Sequence, residues 1–272
     1  MPQVDEPFGL DEVGAAFPHL TLLETLPAGG QASVFKVQDT HGAICALKLY
    51  SPSNVVERVD REVAKLQRLG CPYVVRLVGH GTVSVRDREC RWTLTEFVDG
   101  VSLRVSTQAG PLEPSACRQL IACVGTAIDA MWQVAVVHRD IKPENIMSRG
   151  DGAFVVIDLG LAKHLDAATI TRYGMVLGTP PYMSPEQLRG RQALTLKSDI
   201  FSLGVTSYEA LTGQHPFDWR PDLVLSVRPR PPRDVVAVPQ DLNDAIMAML
   251  ERTPTRRPSS GRALAGMLEG GV

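Results

Sequence analysis

His138-Arg139-Asp140-Ile141-Lys142-Pro143-Glu144-Asn145 is the stretch on which the reading of this chain turns. It follows an apolar helical pattern and lies in polar, turn-rich sequence, so it is expected as an exposed loop. Asp140 and Asn145 stand five positions apart. A carboxylate that accepts a hydroxyl proton and an amide that holds a divalent cation can share one such loop. Further on, Val155-Val156-Ile157-Asp158-Leu159-Gly160 reads as an apolar strand ending in Asp-x-Gly. That ending presents the Asp158 carboxylate at a turn, where it can bind a cation.

Upstream of the loop, Ile44–Leu49 alternates as a strand, and Lys48 is its only lysine. Glu62 follows on a predicted helix, Asn54–Leu69, where Val59, Val63, Leu66 and Leu69 fall at helical spacing and Gly70 is the stop. A half-buried lysine beside nucleotide phosphates needs a counter-charge, and Lys48 with Glu62 supplies one. Other strands are predicted at Leu20–Leu26, Ser33–Gln38, Val74–Leu77 and Trp92–Phe97. After Gly100 the pattern is helical. One helix opens at Pro114-Ser115, with Leu120, Val124, Ile128 and Met131 on its apolar face. A second covers 198–212, and short ones follow near 241–251 and 259–268, beyond a Pro/Arg-rich loop at Pro229–Pro232. Residues 1–17 read as a loose extension. The simplest partition is two lobes joined near Glu96–Gly100, strand-rich in front and helical behind.

Composition narrows the class. The 272 residues carry 28 Lys+Arg against 30 Asp+Glu, a net charge of −2, with 44% hydrophobic and 21% charged residues. This is globular usage; it excludes a disordered chain and a broadly basic nucleic-acid surface. Leu120–Val137 is interrupted by Gly125, Asp129 and Gln133, so it reads as a core helix and no membrane segment is expected. The first residues are acidic where a secretory leader is basic. Five scattered cysteines (Cys45, Cys71, Cys90, Cys117 and Cys123) without a C-x-x-C pair suit buried positions in a reducing cytoplasm. No repeat of solenoid length is present.

In this order and at these spacings the motifs resemble the Hanks-type (eukaryotic-like) Ser/Thr protein kinases of bacteria, over about residues 18–268. The resemblance implies an α+β fold in two lobes: a small antiparallel-sheet lobe with one main helix over 18–98, and a larger helical lobe over 99–272. It implies transfer of the γ-phosphate of ATP to protein Ser/Thr hydroxyls, with Mg2+ or Mn2+. By the same resemblance Asp140 is the catalytic base and Lys142 reaches the transferring phosphate. Asn145 and Asp158 hold the metal. Lys48 pairs with the α/β-phosphates and Glu62 positions it. Gly29, Gly30 and Val34 cover the nucleotide. Ala46 and Met147 sandwich the adenine, Thr95 is the gatekeeper, and the backbones of Glu96 and Val98 bond the adenine edge. Glu186 pairs with Arg257, and Asp199 braces the catalytic loop. Arg139 is an anion hook for autophosphorylation at Thr171, with Thr169 second, reached through self-association. Thr179 is reserved for contacts to Asp140 and Lys142. The implied partners are ATP and protein substrates, with no nucleic acid. The chain ends soon after Arg257-Pro258, so no C-terminal sensor or anchor is expected.

The pattern also departs from the family's. Where G-x-G-x-x-G-x-V is usual, the chain has Pro27-Ala28-Gly29-Gly30-Gln31-Ala32-Ser33-Val34, with only Gly29 in register. Pro27 removes an N–H and Ala32 adds a methyl, which weakens a phosphate cradle. Taken alone, Gly29-Gly30 reads as a hairpin turn. Leu159 replaces the usual Phe and keeps an apolar plug. Three other classes compete. A pseudokinase scaffold would lose the lysine, the base or a metal ligand, yet Lys48, Asp140, Asn145 and Asp158 are all present. A small-molecule kinase would lack Lys142 and the segment from Gly178-Thr179 to Ser184-Pro185-Glu186. A tyrosine kinase carries Arg where this chain has Glu144. Arginine-directed relatives place an acid at the position of Ser102. With Glu144 alone of that acidic pair, no strong demand for arginine before the target is expected.

Overall fold

Alternation in the front of the chain becomes a five-stranded antiparallel sheet, β1 (Thr21–Leu26), β2 (Ala32–Gln38), β3 (Ile44–Tyr50), β4 (Leu77–Val85) and β5 (Arg88–Glu96), in the order β1-β2-β3-β5-β4. The structure is a computed structural model and describes residues 8–27, 32–50, 63, 65–158, 180–191 and 193–269. The chain divides into two units, Met1–Arg68 with Val75–Phe97, and Leu69–Val74 with Val98–Val272.

In the first unit one face of the sheet forms the core. Phe35, Val37, Cys45, Leu47, Leu49 and Leu94 are buried there, at every second position of their strands. Val13 and Phe17 join this core from an element the sequence reading missed. Leu10–Ala16, expected as part of a loose extension, forms helix α1. The Glu12 carboxylate accepts the Gly9 N–H at 2.9 Å and binds Arg86. Those bonds hold the carboxyl below its ordinary range, the Arg86 bond first. Further boundaries moved, and the strand expected at Trp92–Phe97 runs over Arg88–Glu96. The helix expected through Leu69 ends at Leu66, with Val63 and Leu66 buried; residues 54–62 and 64 lie outside the described residues. The strand expected at Val74–Leu77 starts at Leu77 and runs to Val85, and Val74 makes only an isolated bridge to Val156. The β4–β5 hairpin turns at Arg86 and Asp87, with φ of 52° and 57°. Without Gly or Asn there, the turn carries no local signal.

The second unit is helical around two long elements, α3 (Pro114–Gln133) and α5 (Leu196–Thr212). Leu120, Val124, Ile128 and Met131 of α3 are buried as expected, together with Ile200, Phe201, Leu203 and Val205 of α5. No helix among the described residues is long and apolar enough to cross a membrane. Short helices α2 (Leu103–Gln108), α4 (Pro185–Leu188), α6 (Pro221–Ser226), α7 (Gln240–Met249) and α8 (Gly261–Glu269) complete it. In a small sheet of β6 (Val101–Ser102), β7 (Ile146–Ser148) and β8 (Phe154–Val156), the 138–145 loop leads into the middle strand, β7. All five cysteines are free thiols. Burial pushes the Cys117 thiol up to about 12, which leaves it an inert core residue.

Candidate active site

The loop 138–145 is built on one buried carboxylate. Asp199, on α5, accepts the backbone N–H of His138 and of Arg139, both at 2.8 Å. Arg139 is held at φ +68°, a conformation that costs a non-glycine residue. The two Asp199 bonds and a third, from Gln187 Nε2 to the Arg139 carbonyl at 3.1 Å, hold it there. Burial raises the Asp199 carboxyl above its ordinary range, against the pull of His138, Arg139 and the two N–H bonds.

His138 is fully buried. Its Nδ1 accepts the Asp140 N–H at 3.2 Å, so the ring proton sits on Nε2 and is donated to the Asp158 carbonyl. One neutral imidazole thus ties together the two carboxylate-bearing segments. Burial pushes its pKa below the ordinary value, against the attraction of Asp199, Asp158 and Asp140.

The side chains of the loop converge. Asn145 Nδ2 donates to the Asp140 carbonyl at 2.9 Å and to Asp140 Oδ2 at 3.1 Å. Those bonds leave the amide oxygen as the end that can ligate a cation. Lys142 Nζ lies 3.4 Å from Asp140 Oδ2. The Ile157 N–H donates to the Asn145 carbonyl at 3.0 Å, which sets the end of β8 and Asp158 beside the loop. An amide oxygen and a carboxylate are hard donors, few in number, and they fit a Mg2+-type ion that keeps waters and phosphate oxygens as its other ligands. Met147 is half-buried on β7, paired with Ser102.

In the first unit three of the predicted residues share one sheet face. Val34, Ala46 and Lys48 are half-buried on the face opposite the core. The register pairs Val34 with Lys48, Ala46 with Thr95 and Lys48 with Thr93. Lys48 Nζ lies 5.2 Å from the Tyr50 ring centroid. The Glu96 N–H is committed to the Arg76 carbonyl at 3.0 Å. Val98 is half-buried just past β5. Gly29, Gly30, Glu62, Thr169, Thr171 and Thr179 lie outside the described residues.

Two expected supports are present as read. Arg257 binds both oxygens of Glu186, at 2.7 and 2.9 Å, and Asp199 braces the loop. Sequence reading missed His138 as the joint between Asp140 and Asp158, and Gln187 as the clamp on Arg139. It also missed that Glu144 is engaged by Arg104 at 2.8 Å. None of these has a local signal, because each depends on residues brought together from distant positions.

The family described as protein kinase domain matches residues 20–267. A protein of Thermomonospora curvata named probable serine/threonine-protein kinase PkwA is 34% identical over 272 residues, 96% of this chain and 35% of the relative. Serine/threonine-protein kinase PrkC of Bacillus subtilis is 32% identical over 249 residues, 87% of this chain and 38% of the relative. The chain therefore spans little more than a third of these relatives' length. The crystal structure of Rad53 1-466 in complex with AMP-PNP is similar with a TM-score of 0.75 and 25% identity, covering 93% of this chain and 65% of that one.

Proposed function

The chain belongs to the protein kinase domain family, and we propose that it transfers the γ-phosphate of ATP to serine and threonine hydroxyls of proteins. The observation that carries the reading is the fixed triangle of Asp140, Lys142 and Asn145 in one braced loop. The similarity to a structure crystallised with an ATP analogue supports ATP as donor.

In this reading Asp140 Oδ orients the acceptor hydroxyl and takes its proton. The hydroxyl oxygen bonds to the γ-phosphorus while the bond to the β,γ-bridging oxygen breaks, and ADP leaves. Lys142 faces the charge spread over the transferring oxygens, where a preorganised cation is worth most. Lys48 binds the α/β-phosphates, with Glu62 as its counter-charge. Val34, Ala46 and Met147 give the adenine apolar surface, and the Glu96 and Val98 backbones bond its edge. Gly29 and Gly30 cover the phosphates. Asn145 and Asp158 would hold Mg2+, which neutralises phosphate charge when bound. ATP supply and five free thiols support a cytoplasmic site of action.

The acceptor class is tested by incubating the protein with labelled ATP and a mixed protein acceptor, then separating phosphoamino acids. Label on phosphoserine and phosphothreonine is expected; label confined to phosphotyrosine, or to small molecules, would overturn the reading. Activation belongs to the same proposal. Phosphate added at Thr171, and second at Thr169, supplies about −1.5 to −2 charge for Arg139 to bind. Mass spectrometry should find phosphate on that peptide after self-association in MgATP, and Asp140→Asn protein should lack it.

A further inference from the structure

Arg104, on α2, centres a polar cluster that phosphoryl transfer leaves unused. Its Nε donates to Glu144 Oε1 at 2.8 Å, its Nη1 to Glu209 Oε1 at 2.6 Å and its Nη2 to the Tyr182 hydroxyl at 2.5 Å. That hydroxyl donates in turn to the other Glu209 oxygen. The Trp219 indole lies 5.6 Å from Arg104 Cζ, and His215 stacks on the indole at 4.7 Å. Asp218 and Trp219 both sit at positive φ, 49° and 62°, a local cost at the position that supplies the indole.

Each wall comes from a different element. Glu144 stands in the 3-10 turn Pro143–Asn145, Tyr182 in the turn Pro180–Tyr182 and Glu209 on α5. The place is built for a guanidinium and not for any cation. Three acceptors in three directions match the arginine fork, and an aromatic face covers the plane. Two carboxylates meet one cation, so without Arg104 the pocket keeps two anionic groups. It also opens outward: the Glu144 side chain is 45% exposed and Trp219 is 49% exposed. Glu144 directly precedes Asn145, whose amide lies 3.1 Å from Asp140 Oδ2. An extended peptide whose hydroxyl meets Asp140 advances about 3.3 Å per residue, so a neighbouring side chain a few residues away is within reach.

We propose that Glu144, Glu209, Tyr182 and Trp219 form a guanidinium pocket which the chain fills with its own Arg104, and that Arg104 thereby keeps the enzyme indifferent to arginine in its acceptor. Emptying the pocket turns that indifference into a demand. Arg104 is a selectivity and positioning residue, since through Glu144 it also steadies the turn that presents Asn145. The selectivity half rests on the kinase reading above; the pocket itself does not.

The test is Arg104→Ala read two ways. In thermal melts, millimolar methylguanidinium should raise the melting temperature of the variant saturably and leave wild type unmoved, while methylammonium should do neither. With two acceptor peptides that differ only by Arg or Ala near the serine, wild type should show kcat/KM values within about two-fold. The variant should favour the arginine peptide at least ten-fold, through KM, and adding Glu144→Gln should remove that preference. If the alanine variant does not fold alone, refolding from urea with and without methylguanidinium is the measurement, and recovery only with it supports the pocket. A variant insensitive to methylguanidinium, or unfolded in both conditions, overturns the pocket. An unchanged peptide preference overturns the selectivity role. A wild type that transfers no phosphate sinks the kinase reading, while the melts still decide the pocket.

Discussion

Asp199 and His138 share one task, which is to hold a strained loop without touching a substrate. Asp199 can do so because a carboxylate accepts two N–H bonds at once, from His138 and Arg139. Asp199→Asn turns one acceptor into a donor that faces an N–H. The expected cost is about 1–3 kcal/mol of stability, with a fall in kcat, measured by denaturant unfolding beside activity. His215 makes a second residue-level prediction. Burial lowers its pKa to about 4. Above the unfolded value of about 6.5 both states are neutral and no penalty exists. As pH falls toward 4, only the unfolded chain takes up the proton, so stability drops across that window. His215→Asn should flatten the melting-temperature profile between those limits; an unchanged slope would show that another group titrates. At this scale much was legible. Asp140 and Asn145 announce themselves by their spacing within one short loop, and Asp158 by the Asp-x-Gly that ends an apolar strand. His138 lay in the same stretch, but its role needs the carbonyl of Asp158, and that contact leaves no mark in local sequence.

Helices α3 and α8 show how close two elements can come when both give up a side chain. A Cβ on Gly261 would lie 2.0 Å from the Gly125 carbonyl oxygen. Gly261→Ala must therefore push the helices apart, at about 1–3 kcal/mol or more. Asp129, on α3, accepts the Gly261 and Arg262 N–H groups at 2.8 and 2.9 Å, and Ser260 accepts that of Ala263 at 3.0 Å. Asp129→Ala removes this shared cap and should cost about 0.5–2 kcal/mol, while Ser260 still holds one donor. Chemical denaturation of both variants checks the order, with the glycine change the larger. The helices were legible from apolar spacing, and the strands β1 to β3 from alternation. The β4–β5 hairpin was only half legible, because Arg86 and Asp87 adopt the left-handed turn with no glycine to signal it. Helix α1 was hidden by acidic, proline-bearing surroundings, although Val13 and Phe17 bury completely or nearly so.

Across the second unit, the Glu186–Arg257 pair joins the first turn of α4 to the residue that follows the 3-10 turn Pro254–Arg256. All five Arg257 donors are used, by Glu186 twice and by the carbonyls of Lys197, Glu251 and Arg252. Burial pushes the Glu186 carboxyl up, but the Arg257 bonds and charge and the Ser198 hydroxyl outweigh it and hold it below its ordinary value. Arg257→Ala strands a buried carboxylate and should cost about 3–5 kcal/mol, seen as an unfolding midpoint far below that of any surface variant. This pair was legible because both residues sit in recognisable motifs. The Arg104 cluster was not, since positions 104, 144, 182, 209 and 219 meet only in the folded chain. The central claim is that the braced 138–145 loop performs phosphoryl transfer, with Asp140 as the base. The most direct test measures transfer of labelled γ-phosphate to a protein acceptor by wild type and by Asp140→Asn, at equal concentration and with equal melting temperatures. The account predicts robust labelling by wild type and a loss of at least about 10²-fold in the variant. Equal labelling by the two proteins, or none by wild type under conditions where it binds ATP, would contradict it.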